Sequence, residues 1–317
     1  MNDLSLPTAL SSEALRFIRG LFGGLPHPAE AVRTQAVHSL CTPNHRLQIW
    51  VLRTEKPYAL AWLLTLLMPL ASGQRDVPVL LSPDGCWPHV VSSEAGQAVG
   101  AEDVALAHFD RLYFAHDRDD GLRQGALYDQ QHDAHWGAIS AWAWALKTTV
   151  QGLISIPGLN AEKIGVIGHS RGGKAALLAG AITPQVALTV AHNSGCAGAA
   201  SFHAIGNEAE TLAAMQARFP HWLSDECIQA DVRTDLAALD NTALLHSFTG
   251  RHLCVMQADD DLWANPEGTR YAVDRLRADW HELGLANRLH HMARSGGHSM
   301  TALDWGRAAQ TLSQIQG

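Results

Sequence analysis

Short apolar runs alternate with amphipathic stretches along most of the chain. Strands are expected at residues 47–53, 59–67, 77–82, 111–115, 164–168, 186–191, 253–257 and 288–292, where apolar and β-branched residues cluster between turn formers. Helices are expected at about 136–153, 171–181, 266–283 and 301–314, where apolar positions recur at helical spacing. The second half therefore reads strand, helix, strand, helix, which predicts a mostly parallel sheet with helices on both faces. In the first half strands follow one another without helices, as in an antiparallel start to the same sheet. No internal repeat, low-complexity tract or linker interrupts the pattern, so residues 1–317 are expected to form one three-layer α/β domain. The most apolar stretch, residues 58–71, is too short for a bilayer span and contains a proline, so it reads as a buried strand and no membrane partner is expected.

Composition narrows the picture. Hydrophobic residues make up 47% and charged residues 17%, as in an ordinary globular protein with a sizeable core. The formal charge of −8, from 31 acidic and 23 basic residues without a run of Lys or Arg, excludes the electrostatic footprint of a nucleic-acid binder. Five cysteines, Cys41, Cys86, Cys196, Cys227 and Cys254, form no CxxC pair and read as buried small hydrophobes in a reduced protein. The first residues lack the basic and apolar regions of a secretory signal, which favours a cytoplasmic location.

The chemistry sits in the second half. IGVIGHSRGGKAALLAGAI is a short apolar strand, then Gly168-His169-Ser170-Arg171-Gly172, then an alanine-rich helix. That is GxSxG in its strand–turn–helix context, the nucleophile elbow of the α/β-hydrolase fold. Glycines flank the turn because side chains there would strike its neighbours, and Ser170 is left strained with its hydroxyl exposed. The following helix points its amino end at the site, so the Arg171 N–H can donate to a developing oxyanion. A serine needs a base and the base an orienting acid, in the chain order Ser, Asp or Glu, His. His298, in the glycine-rich loop SGGHSM between the last expected strand and helix, holds the place of the base; His290 and His291 fall inside the strand and read as structural. The acid is expected after the preceding strand, where Asp259, Asp260 and Asp261 stand in a row. Asp261 is favoured, with Asp260 as the fallback. The segment SPDGCW, residues 82–87, follows a central strand where this fold recruits its second oxyanion donor, so Gly85, Cys86 and Trp87 are candidates for that N–H. Lys174, one turn beyond Ser170, is placed to meet a substrate hydroxyl or carboxylate, or else is a solvated helix lysine. Trp263 is either a platform for a sugar ring or packing.

GHSRGGKAAL, HNSGCAGAA, ETLAAMQARFPHWL, DDLWANPEG and SGGHSM, together with HDRDDG at 116–121 and WGAISAWAWAL at 136–146, resemble the bacterial branch of the glucuronoyl esterase family. The likeness runs from about residue 105 to residue 305. It implies hydrolysis of esters between a uronic acid and an alcohol by Ser170, His298 and an acid. It also implies oxyanion stabilisation by Arg171 and sugar-acid contacts by Lys174, Trp263 and Glu210. Many members carry a catalytic Glu where this chain has Asn193, so the acid here must come from Asp259–Asp261, as in some bacterial relatives. The family's Gly-Glu pair before the FPHW block reads Ala209-Glu210, with two extra residues upstream. Secreted members attack plant cell-wall material, whereas no signal is seen here.

The expected function is thus a serine carboxylic-ester hydrolase working through an acyl-enzyme, with no metal or organic cofactor and a small-molecule or sugar-acid ester as partner. A carboxylesterase acting on aryl or short acyl esters is the alternative. A catalytically silent hydrolase fold is disfavoured, because nucleophile, base and acid positions are all filled.

Overall fold

A computed structural model of the chain describes residues 10–70, 76–87, 93–231 and 239–316. The first residues, read above for a signal, and Ala71, at the end of the long apolar stretch, lie outside them. The strands are β1 (Arg33–Cys41), β2 (His45–Arg53), β3 (Ala61–Pro69), β4 (Val77–Ser82), β5 (Ala105–His108), β6 (Leu159–His169), β7 (Val186–His192), β8 (His252–Ala258) and β9 (Leu289–Arg294). The helices are α1 (Ser12–Phe22), α2 (Ser93–Gly100), α3 (Ala138–Leu153), α4 (Arg171–Ile182), α5 (Leu212–Arg218), α6 (Asp225–Gln229), α7 (Thr242–His246), α8 (Pro266–Glu282) and α9 (Ala302–Gln314).

All nine strands join one sheet in the order β1-β2-β3-β5-β4-β6-β7-β8-β9. Pairing is antiparallel from β1 to β5 and parallel from β5 to β9. This is the expected three-layer α/β arrangement. The larger core lies on one face, where α1, α3, α4 and α8 pack; α2 and α9 close the other face over Leu80, Leu106, Ile167 and Val190. Trp142 and Trp144 of α3 are buried, and so is almost every other side chain of that helix, because it lies under loops as well as on the sheet. The long apolar run is β3, whose even-numbered residues Trp62, Leu64 and Leu66 face the larger core. Its opposite face alternates with exposed Leu63, the pattern of a half-covered sheet.

Two expectations need correction, and one strand carries no sequence signal. Residues 111–115 do not form a strand: Arg111–Tyr113 is a 3-10 turn capped by the Asp110 carboxylate. Phe114 and Ala115 are buried and gave the segment its strand-like look, while the true strand, β5, is only four residues long. β1 also escapes pattern reading, since RTQAVHSLC is an edge strand with both faces largely open and no apolar alternation. Finally, Cys41 lies exposed on β1, whereas Cys196, Cys227 and Cys254 are buried and Cys86 is half-buried. Burial lifts these last four thiols to about 12, which leaves them inert.

Candidate active site

Ser170 stands between the end of β6 and the start of α4, at φ 56° and ψ −119°. Non-glycine residues seldom occupy that region, and two neighbours explain how the turn is held. The Ser170 N–H donates to the His192 carbonyl at the end of β7 (2.8 Å), and its carbonyl accepts from Lys174 N–H (3.2 Å). A Cβ on Gly168 would lie 2.1 Å from the Gly172 carbonyl oxygen, and one on Gly172 would lie 2.3 Å from the Asp84 carboxylate. Glycine is therefore required at both places. Asp84 accepts from the His169 N–H (2.9 Å) and is ion-paired with fully buried Arg111, so the loop after β4 braces the elbow from below.

His298 bridges to the nucleophile. Its Nε2 is 2.9 Å from Ser170 Oγ and its Nδ1 is 2.5 Å from Asp261 Oδ2. The three consecutive aspartates, among which the sequence favours Asp261, have different partners. Asp259 accepts from Gln257 and Arg270, Asp260 accepts from the Gly296 N–H (2.6 Å), and Asp261 alone faces the imidazole, with its side chain 5% exposed. Asn193 sits beside them at φ 43°, its Oδ1 accepting from the Ala258 N–H (2.7 Å), and it lines the cleft without carrying charge. The arrangement can deprotonate a hydroxyl, hold the resulting imidazolium, and present the N-terminus of α4 to a developing oxyanion.

The cleft above Ser170 has a volume of about 220 Å³. Lys174 and Glu210 form its floor and are 4% and 5% exposed; Lys174 Nζ donates to the Ser194 carbonyl (2.7 Å) and lies 3.3 Å from Glu210 Oε2. Lys174 is thus not a solvated helix lysine. Phe219 and Trp222 are stacked with ring centroids 3.9 Å apart. Arg171 lies over Trp222 at 4.8 Å, and Arg218 lies between Phe219 and Trp263 at 5.1 and 5.9 Å. Trp263 stays 42% exposed at the rim. The Arg171 guanidinium is tethered by Asp117 (2.5 Å), which also accepts from His221 (3.0 Å) and Trp222 Nε1 (2.9 Å). Burial alone would raise the Asp117 carboxyl, but His221, Arg171 and Trp222 outweigh it and hold the group well below the usual carboxylate range. The anchor is therefore a carboxylate at any working pH.

Ser170, Arg171, Lys174, Glu210, Trp263 and His298 thus line one cleft, with Asp261 directly behind it. Gly85 and Cys86 do not line it. The Gly85 N–H is already given to the Phe109 carbonyl (2.9 Å), and Gly85 faces a separate groove with Leu63, His108 and Tyr113. The Cys86 thiol is turned to Arg111 (3.4 Å). Pairing of the loop after β4 with the loop after β5 consumes the Gly85 N–H, and the Trp87 N–H is given to the Asp84 carbonyl within its own loop (2.9 Å). Sequence reasoning passed over Arg218, Phe219, Trp222 and Asp117 as site residues, although the FPHW and HDRDDG blocks that contain three of them were visible as motifs.

A family model described as fungal glucuronyl esterase matches residues 72–284. A carbohydrate esterase from an unknown prokaryotic organism is 33% identical over 187 residues, covering 54% of this chain and 42% of that protein. The 4-O-methyl-glucuronoyl methylesterase 1 of Phanerochaete chrysosporium is 26% identical over 306 residues, 93% of this chain and 62% of its own. This chain therefore spans between about two fifths and three fifths of the length of those relatives. Among solved structures, a glucuronoyl esterase from Solibacter usitatus superposes with a TM-score of 0.82 at 22% identity, over 96% of this chain and 92% of that one, which is a likeness of fold. The match to the family model covers two thirds of the sequence, including the elbow, the cleft floor and the aspartate run, and on that ground the chain belongs to the glucuronoyl esterase family.

Proposed function

We propose that the protein is a serine carboxylic-ester hydrolase that cleaves esters of uronic acids through an acyl-enzyme. Ser170 attacks the ester carbonyl while His298 takes its proton and then passes it to the leaving alcohol; Asp261 holds the imidazole in the productive tautomer, and water releases the acid. The Arg171 N–H, with the tethered Arg171 guanidinium as second donor, stabilises the oxyanion, a contribution on the order of 3 kcal/mol per donor. The steps balance without a metal or organic cofactor. Among the described residues no group of His, Cys, Asp and Glu is placed to hold a metal ion.

The observation that carries the substrate class is the Lys174–Glu210 pair on the cleft floor. A uronate ester has no charge until it is cleaved, so what the site recognises beforehand is a ring of hydroxyls. A buried ammonium beside a buried carboxylate supplies one donor and one acceptor to adjacent hydroxyls. Phe219, Trp222 and Trp263 supply flat apolar surface for the ring faces. A short acyl or aryl ester uses neither, and the remaining donor and acceptor sites of the buried pair would then stand desolvated and unused. Relatives of this chain that are 4-O-methyl-glucuronoyl methylesterases fit the same class.

Glu210→Gln tests this reading on two substrates. It keeps shape and one acceptor but loses the charge, so kcat/KM for benzyl glucuronate is expected to fall about 10- to 100-fold, the range of one hydrogen bond to a charged group. Hydrolysis of p-nitrophenyl acetate should stay within about threefold. An equal loss on both esters would mean that Glu210 supports the site without reading the sugar.

A further inference from the structure

His298 is carried by a loop that glycine makes pliant. Gly296 has φ 111°, and a side chain on Gly297 would meet nothing within 4 Å, so local packing does little to order the segment. Asp260 holds its middle at Gly296, and Arg294, the last residue of β9, holds its two ends. Its Nη1 donates to the Ser295 carbonyl (3.0 Å) and its Nη2 to the Ser299 carbonyl (2.5 Å), so one guanidinium fastens both ends of the loop. The guanidinium is itself fixed by Asp304 at the start of α9, with Nε 2.9 and 3.0 Å from the two carboxylate oxygens and Nη2 2.9 Å from Oδ2. Asp304 also accepts from Thr301 N–H (2.8 Å) and Thr301 Oγ1 (2.9 Å), closing the cap of α9.

The other side of Asp304 leads to the same imidazole. His192 Nε2 lies 3.4 Å from Asp304 Oδ2, and this nitrogen has no hydrogen bond among the described residues. His192 Nδ1 is 2.8 Å from His169 Nδ1, and the His169 ring packs against the His298 ring at 4.7 Å, tilted by 51°. One of the two Nδ1 atoms donates to the other, so the rings of His192 and His169 are held together by a direct hydrogen bond. Burial keeps His192 below the ordinary histidine range despite the opposing pull of Asp304. Asp304, although buried, is held well below the usual carboxylate range by His192, Arg294 and the Thr301 N–H.

We infer that Asp304 is a positioning residue for the general base, steadying the His298 loop through Arg294 and the His298 ring through His192 and His169. This rests on the reading of His298 as the base. The charged and titratable groups facing His298 are then few. Asp261 and His169 touch it, His192 stands behind His169, Arg171, Lys174, Glu210 and Arg218 lie across the cleft, Asp260 binds the loop, and Arg294 and Asp304 lie beneath. The last two cancel each other, so removing either changes the field at the imidazole in opposite senses.

The test compares wild type, Asp304→Asn, Arg294→Met and Ser170→Ala on p-nitrophenyl acetate from pH 5 to 9, each well below its own Tm. Arg294→Met leaves the cap of α9 intact, so it serves where Asp304→Asn folds poorly. Both clamp variants are expected to lose about tenfold or more in kcat with KM within about threefold, because a misplaced base weakens the transition state and not binding. The acid limb of kcat/KM should move to lower pH in Asp304→Asn, where an uncompensated guanidinium disfavours the imidazolium. It should move to higher pH in Arg294→Met, where the uncompensated carboxylate favours it. Limbs that stay put or move together, a loss carried by KM, or kcat within twofold of wild type would overturn the inference while Ser170→Ala is dead. An active Ser170→Ala would instead overturn the triad itself.

Discussion

Replacing Ser170 by alanine is expected to lower kcat by about 10⁴-fold or more on any ester the enzyme turns over, while Tm changes little. The size follows from the chemistry: among the described residues the hydroxyl hydrogen-bonded to His298 is that of Ser170, so what survives its loss is the oxyanion donors and binding acting on bulk water. The small change in Tm follows from the turn. The backbone of Ser170 is held by the His192 carbonyl and by Lys174 N–H, and neither bond needs the side-chain hydroxyl. Steady-state rates beside a thermal melt check both halves. A variant that keeps a tenth of the activity would remove Ser170 from the nucleophile's role.

The second large effect is expected at Asp261. Its Oδ2 accepts from His298 Nδ1 at 2.5 Å, which leaves Nε2 bare toward Ser170 Oγ. Asp261→Asn keeps the shape, but an amide N–H facing Nδ1 would favour the opposite tautomer, with Nε2 protonated and unable to take the serine proton. A fall in kcat of about 10⁴-fold is the scale of that error. Asp259→Asn and Asp260→Asn are the internal controls. Asp259 is bound to Gln257 and Arg270 at the surface, so its loss should cost less than about twofold in kcat. Asp260 fastens the Gly296 N–H, so its loss should cost several-fold at most. Equal losses at all three positions would show that the run acts as a diffuse negative charge and not through one oriented carboxylate.

Most of the parallel half of the fold was legible in the sequence because strands such as β6 and β8 are apolar runs followed by a helix with its own period, whereas β5 is only four residues long and leads into a 3-10 turn. The elbow serine and the loop histidine could be picked out for a related reason: Gly168, Gly172 and Gly296 are backbone requirements, and backbone requirements leave glycine as a mark. What stayed hidden depends on contacts distant in sequence. No local pattern distinguishes Asp261 from Asp260; the choice is made by how the turn after β8 meets the loop after β9. Gly85 looked free to donate, but pairing with Phe109, 24 residues on, takes its N–H. Asp117 reads as one acid among several in HDRDDG, and only the fold brings His221 and Trp222, more than a hundred residues away, to the same carboxylate. The Asp304 cluster shows the same limit, since Arg294, His192 and His169 come from three different strands.

The central claim is that this triad serves a sugar-acid ester, and the most direct test is the wild-type enzyme on two substrates in one buffer. The measurement is kcat/KM for release of benzyl alcohol from benzyl glucuronate beside that for p-nitrophenyl acetate. Although the acetate has the better leaving group, binding of the ring by Lys174, Glu210 and the aromatic walls should place the glucuronate ester ahead by about 100-fold or more, equivalent to roughly 3 kcal/mol of transition-state binding. An enzyme that hydrolyses the acetate and leaves the glucuronate untouched would retain the serine mechanism and contradict the assignment of its substrate.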